Sequence, residues 1–335
     1  MGLNPIPEKG TDSLPVKILI PAKDDIEIAA TRIKPYLHIT PVLTSSAIDE
    51  IAGCSIFFKC ENFQKAGVFK ARGATNAVFS LTENDLIKGV ATHSSGNHAA
   101  ALSMAASLRN TVAHIVMPSN ANKVKIRATE HYNGKITFCE PTLQAREETL
   151  AKVVEETGSV EIHPYNDVRV IAGQATAAKE LLSQVNDLQV VMSPVGGGGL
   201  LSGTALSAYY YGNKIEVIAG EPTGANDAYR SFRSGRFVPS VSPQTIADGL
   251  LTSLGTITFE IIRKHVHNIL IVDDTEIVKA MRLVWERMKI IIEPSSAVPL
   301  AAVLKNKELF KGRRVGIIIS GGNVDLDALP FILFK

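Results

Sequence analysis

Lys70 sits in the run Val68-Phe69-Lys70-Ala71-Arg72-Gly73-Ala74, after an aromatic side chain and before a small residue, an arginine and a glycine. A cation two positions away favours the uncharged form of the lysine amine. An amine that is neutral near pH 7 is a nucleophile toward aldehydes. On its own the pattern also fits a solvated helix face. Two glycine-rich turns and a Ser-Gly-Asn loop downstream, each at the end of an expected strand, add to the chemical reading.

Gly196-Gly197-Gly198-Gly199 follows the apolar run Val190–Val195 and opens a helix. Inward N–H groups and a helix N-terminus make an anion cup suited to a phosphate. It is not a P-loop, because Thr204 rather than Lys follows Gly203. Nor is it G-x-G-x-x-G. The sixth position is a glycine only when counting starts at Gly198, and Leu200 then occupies the middle place. Glu221, at the next strand end, still leaves a dinucleotide-binding oxidoreductase as a competing reading.

Ser94-Ser95-Gly96-Asn97-His98 opens another helix, whose N–H groups suit a carboxylate. Asn97 offers an amide and Ser95 a hydroxyl able to move a proton, although Ser and Asn also make ordinary helix caps. Ser320-Gly321-Gly322-Asn323 ends the last strand. Its serine could hydrogen-bond a ring nitrogen without holding it protonated, or simply form a tight turn. Glu221 and Asp227 lie six residues apart with a free backbone carbonyl between them. This is either a cage for a hard divalent cation or a solvated acidic turn.

The elements that must position these groups alternate. Short strands are expected at Ser55–Lys59, Gly89–Thr92, Val112–Met117, Ile136–Cys139, Val160–His163, Val190–Val195, Ile215–Ala219, Ile269–Val272 and Val315–Ile319. Helical patterns separate them, so the class is α/β with mostly parallel sheets and ligands at the C-terminal strand ends. The 335 residues suffice for two domains. We expect a loose arm over 1–25, a large domain over 26–87 and 167–335, and a small mobile domain over 88–166.

A net charge of +2 without a long basic run argues against nucleic acid. No apolar stretch reaches membrane-spanning length, and the candidate near Ile290 is broken by Glu293 and Pro294. The opening residues lack an apolar signal region, and Ile6 stands where acylation needs Ser or Thr. Three cysteines with no Cys-x-x-Cys pair, and no Asn-x-Ser/Thr acceptor, fit a reducing, cytoplasmic setting.

Phe69-Lys70-x-Arg72-Gly73, Ser94–His98, the tetraglycine turn and Ser320–Asn323 together resemble the fold type II pyridoxal-phosphate enzymes, the tryptophan synthase β-like group. The likeness spans about Ile28 to Asp325. His38-x-Thr40-Pro41-Val42-Leu43, Thr245–Gly249 and Trp285–Lys289 resemble most the eukaryotic serine racemases, relatives of the threonine and hydroxyaspartate dehydratases. The resemblance implies a two-domain fold with parallel sheets flanked by helices, acting on a small amino acid. It implies that Lys70 carries pyridoxal 5'-phosphate, that Gly196–Gly199 and Leu200 hold its phosphate, that Asn97 meets the ring hydroxyl and that Ser320 meets the ring nitrogen.

By the same resemblance, Ser94, Ser95, Asn97, His98 and Arg146 surround the substrate, with Lys70 and Ser95 as the proton-transferring pair. Glu221, Asp227 and the Ala225 carbonyl bind Mg²⁺, Mn²⁺ or Ca²⁺. A homodimer with an allosteric ATP site at Lys65, Tyr132, Lys289 and Asn323 is implied too. L-Serine would give both D-serine and, by β-elimination, pyruvate and ammonia. A dehydratase acting on threonine or threo-3-hydroxyaspartate is the alternative, with Arg146 and His98 suited to an extra carboxylate. Val68, Ala175 and Leu251-Thr252 depart from the family pattern, and Val68 is expected to tilt the cofactor lysine.

Overall fold

The computed structural model of the chain describes residues 18–94, 96–121 and 123–332. The first half runs α1 (Lys23–Ile33), β1 (Val42–Leu43), α2 (Ser46–Ala52), β2 (Ser55–Cys60), α3 (Lys70–Phe79), α4 (Glu83–Lys88), β3 (Val90–His93), α5 (Asn97–Leu108), β4 (Ala113–Pro118), α6 (Lys123–His131), β5 (Lys135–Cys139), α7 (Leu143–Thr157) and β6 (Val160–Glu161). The second half runs α8 (Val168–Gln184), β7 (Val190–Pro194), α9 (Gly199–Tyr211), β8 (Glu216–Pro222), α10 (Asp227–Ser234), α11 (Thr256–His265), β9 (Asn268–Val272), α12 (Asp274–Met288), α13 (Pro294–Lys305), α14 (Lys307–Phe310) and β10 (Arg314–Ile319).

Two sheets result. One has the order β1-β2-β10-β7-β8-β9, parallel apart from the short edge strand β1. The other, β5-β4-β3-β6, is wholly parallel and comes from residues 90–161. Strand β7 is buried along its whole length, which is why it opens on the continuous apolar run Val190–Met192 rather than alternating. Register then brings the motifs to one edge. Ile319 pairs with Cys60, and Pro194 with Gly220, so the turns after β10, β7 and β8 leave the sheet together.

Local chemistry sets several helix starts. Asp167 caps α8 by accepting from the N–H groups of Arg169 and Val170. Helix α1 begins at Lys23, inside the stretch read as an arm. Asp24 and Asp25 complement its positive end, and Asp25 accepts from the Ala22 N–H at 2.8 Å.

Helix α8 crosses α3 on one side and α9 on the other with almost no spacing. A methyl group on Gly173 would lie 2.7 Å from the Arg72 carbonyl oxygen and the Gly73 Cα, and one on Gly203 2.6 Å from the Ala175 nitrogen. Ala175 therefore fits at the α9 crossing because α9 supplies the glycine there. No helix among the described residues is long and apolar enough to cross a membrane.

Candidate active site

A cavity of about 520 Å³ opens at the C-terminal ends of β3, β7 and β10. Lys70, Ser94, Asn97, His98 and Arg146 line it, as do Gly196–Gly199, Leu200 and Ser320. Residues far apart in sequence thus share one space. Ser95 lies outside the described residues.

Lys70 is the first residue of α3, and its Nζ donates to the Pro164 carbonyl at 2.7 Å. Burial pushes the amine down to about 8. The expected cause, electrostatics from Arg72, is corrected here. Arg72 is fully buried on the far side of the helix turn and bound by two carboxylates. Its Nε and Nη2 reach Glu61 at 2.7 and 2.9 Å, and its Nη1 and Nη2 reach Glu180 at 2.7 and 2.8 Å. Its charge is spent there, and desolvation alone lowers Lys70. Val68 is buried in extended conformation and bridges to Gly321, so it packs against the last-strand turn beside the lysine.

The tetraglycine turn leaves the N–H groups of Gly197 and Gly198, and those of Gly199 and Leu200 in the first turn of α9, without a protein acceptor among the described residues. Gly198 caps the helix at φ +87°, a conformation that costs other residues energy. A methyl group on Gly197 would fall 2.3 Å from the Tyr165 ring. Close approach of the backbone therefore dictates glycine, and the free donors aim at an anion.

Ser320 Oγ lies 2.9 Å from Ser296 Oγ, at the inner wall. Asn97 Nδ2 donates to both oxygens of Glu293 at 3.0 Å, and Asn97 Oδ1 accepts from Asn323 Nδ2 at 2.9 Å. These contacts fix which way the Asn97 amide faces. Glu293 is buried, and burial raises its carboxyl to about 7. His98 is held well below the ordinary histidine value by burial and by Lys70, and His163 is pushed down to about 4 by burial. The imidazoles are thus neutral at pH 7. The fixed positive charge comes from Arg146, which has no carboxylate within ion-pair distance among the described residues, and from Lys125, which is paired with Asp248.

Glu221 lies outside this cavity. It is buried, and its two oxygens accept from the N–H groups of Ala228 and Tyr229 at 2.9 and 2.7 Å. It therefore faces no ribose. Asp227 is also buried, and its Oδ2 has no hydrogen-bond partner among the described residues. Ala225 closes the loop between them. Of the proposed nucleotide residues, Asn323 donates to the Ala66 carbonyl beside Lys65. Tyr132 packs edge-on against His131 at 5.0 Å, and Lys289 donates to the Glu286 carbonyl at 2.6 Å.

The family model for pyridoxal-phosphate dependent enzymes matches residues 33–321. The chain belongs to that family. It is 53% identical to a β-hydroxyaspartate dehydratase of Paracoccus denitrificans over 312 residues, 93% of this chain and 99% of that one. It is 51% identical to a serine racemase of Dictyostelium discoideum over 313 residues, covering 92% and 97%. The structure of maize serine racemase superposes with a TM-score of 0.90 at 45% identity, covering 93% and 96%.

Family membership settles the class. This pyridoxal-phosphate enzyme has the fold type II architecture, and the oxidoreductase reading is overturned. The residues present fit the cofactor, with unfilled N–H donors at the glycine turn, a lysine amine lowered by burial to about 8 and a hydroxyl at Ser320. Sequence reading missed Glu293, Ser295, Ser296, Lys125 and Tyr165. The first three had a signal: an acid and two serines around Pro294 interrupting an apolar run mark a helix start set into a core.

Proposed function

We propose that this enzyme racemises L-serine to D-serine and also eliminates water from serine, releasing pyruvate and ammonia. The observation that carries the reading is the desolvated Lys70 amine, lowered to about 8, in one cavity with the Ser94–Asn97 turn and an unfilled anion cup. When bound, pyridoxal phosphate supplies the aldehyde that Lys70 captures and a ring that accepts the electron pair left by a departing α-proton.

The chain does the rest. N–H groups of Gly197–Leu200 hold phosphate, Asn97 faces the ring hydroxyl and Ser320 the ring nitrogen. The start of α5 receives the substrate carboxylate. Once the substrate amine has taken its place, the freed Lys70 amine would take the α-proton on one face. Ser95 returns a proton on the other to give D-serine; alternatively the β-hydroxyl leaves as water, and hydrolysis of the resulting enamine gives pyruvate and ammonia. The ion pair between Lys125 of α6 and Asp248 spans the cleft mouth, which supports closure of residues 88–166 over substrate.

A second reading, dehydration of threo-3-hydroxyaspartate, is favoured by the unpaired Arg146 in the cavity, which would meet a second carboxylate. We also infer a divalent cation at Glu221, Asp227 and the Ala225 carbonyl, supported by the orphaned Asp227 oxygen. ATP at Lys65, Tyr132, Lys289 and Asn323 of a homodimer rests on the contact of Asn323 with both Asn97 and the Lys65 loop. A cytoplasmic setting is supported by the free thiols of Cys54, Cys60 and Cys139.

The deciding experiment incubates the cofactor-loaded enzyme with L-serine, L-threonine and threo-3-hydroxyaspartate, and resolves products by chiral chromatography and keto-acid assay. D-Serine and pyruvate from L-serine are expected. Turnover of hydroxyaspartate alone would shift the assignment to the second reading. Borohydride fixation of the cofactor on any residue other than Lys70 would overturn both.

A further inference from the structure

Behind Ser320, the first turn of α13 presents a second hydroxyl whose single proton has two acceptors to choose between. Ser296 Oγ has one proton. It accepts from the Gly321 N–H at 2.8 Å and faces two acceptors, the Gly321 carbonyl at 2.7 Å and Ser320 Oγ at 2.9 Å. Both serines are buried. The Gly321 carbonyl already receives the Glu293 N–H at 3.0 Å and does not need the serine proton. Two patterns satisfy the protein's own groups: Ser296 donates to the Gly321 carbonyl and accepts from Ser320, or it donates to Ser320, and only in the second must the Ser320 proton point away from Ser296 and into the cavity that Ser320 lines.

The opposite pattern would have Ser320 donate back to Ser296. It would leave Ser320 offering only lone pairs to the cavity, and an unprotonated ring nitrogen would find no donor. Ser320 is otherwise well placed. Its carbonyl accepts from the Phe69 N–H at 2.9 Å, tying it to the residue before Lys70.

We propose that Ser296 is a positioning residue that holds the Ser320 hydroxyl as a donor toward the ring nitrogen of the bound cofactor. The inference rests on the assignment of that nitrogen to Ser320. A chain of two hydroxyls also strengthens the terminal donor, since each hydrogen bond polarises the next.

The test is a double-mutant cycle read without turnover: the dissociation constant of pyridoxal phosphate and the absorption maximum of the bound cofactor in wild type, Ser296→Ala, Ser320→Ala and the double variant. Ser296→Ala is expected to weaken binding about fivefold, the size of one net hydrogen bond, and to move the band in the same direction as Ser320→Ala. In the Ser320→Ala background it should change neither quantity. Ser296→Thr, which keeps the hydroxyl, should restore both. An equal loss in both backgrounds would mean that Ser296 merely braces Gly321, and the inference falls. It falls equally if Ser296→Ala leaves wild-type binding and spectrum untouched. Failure of the parent assignment is separately visible, as a wild-type protein that forms no Lys70-linked absorbing species.

Discussion

Glu61 and the half-buried Glu180 share ion pairs with two cations, whereas the fully buried Glu221 and Asp227 have none among the described residues. Behind α3, Arg72 forks onto both carboxylates, and Lys59 Nζ donates to Glu180 at 2.7 Å and to the Thr40 carbonyl and Gln184 Oε1 at 2.8 Å. Burial works against the charge of Glu180, yet Arg72 and Lys59 hold its carboxyl below the ordinary value. In the loop after β8, burial raises Glu221 to about 8 and Asp227 to about 6; backbone N–H groups and the more distant charge of Arg230 only partly offset it. The first group is self-neutralising and braces the lysine helix. The second has no ion-pair partner among the described residues, and burial pushes it toward protonation.

The sharpest way to break this comparison is to remove the fork. Arg72→Leu leaves two buried carboxylates facing Lys59 alone, and should cost about 3–5 kcal/mol of stability, read as a lower urea midpoint. A variant as stable as wild type would mean the four-charge group contributes nothing. Next comes the loop. If its charge awaits a cation, adding Mg²⁺ or Mn²⁺ to chelator-treated protein at a hundredfold excess over Kd should stabilise by about 2.7 kcal/mol, seen as a rise in Tm.

Glu293 supplies a third, intermediate case, buried against an amide rather than an arginine. Its folded-state value, about 7, lies above the ordinary 4.5, so the folded chain holds this proton more tightly. Its contribution is present in acid and is lost as pH rises from 4.5 through 7. Glu293→Gln should flatten that part of the stability–pH curve by on the order of 2 kcal/mol; parallel curves would show that Asn97 already compensates the charge. The smallest effect is Asp227→Asn. It should leave the metal-free protein unchanged or about 1 kcal/mol more stable, while abolishing its response to added cation. A retained response would move the cation site elsewhere.

Much of this was legible before any coordinates. The strand positions followed from short apolar runs, because parallel strands covered on both faces are mostly apolar, as at Val190–Met192. Lys70, the glycine turn and Ser320 were legible because each is local: a residue type at a strand end or helix start. The environment of Lys70 was not. Adjacency in sequence put Arg72 beside the amine, whereas helical rotation carries it to the opposite side, onto partners eleven and 108 residues away. The acid and two serines around Pro294 escaped for the same reason. Their work depends on Asn97, Gly249 and Ser320, which only the fold brings near.

The meeting of Gly173 with Arg72 and Gly73 bears on how such chains can be recombined. Two backbones lie there without room for one methyl group, so α3 and α8 form a single solid unit despite nearly ninety intervening residues. Chimeras between relatives should inherit residues 70–79 and 168–184 from the same parent. The intervening sheet can be exchanged as a cassette, but a junction that separates those two helices mixes surfaces fitted to each other within a fraction of an ångström.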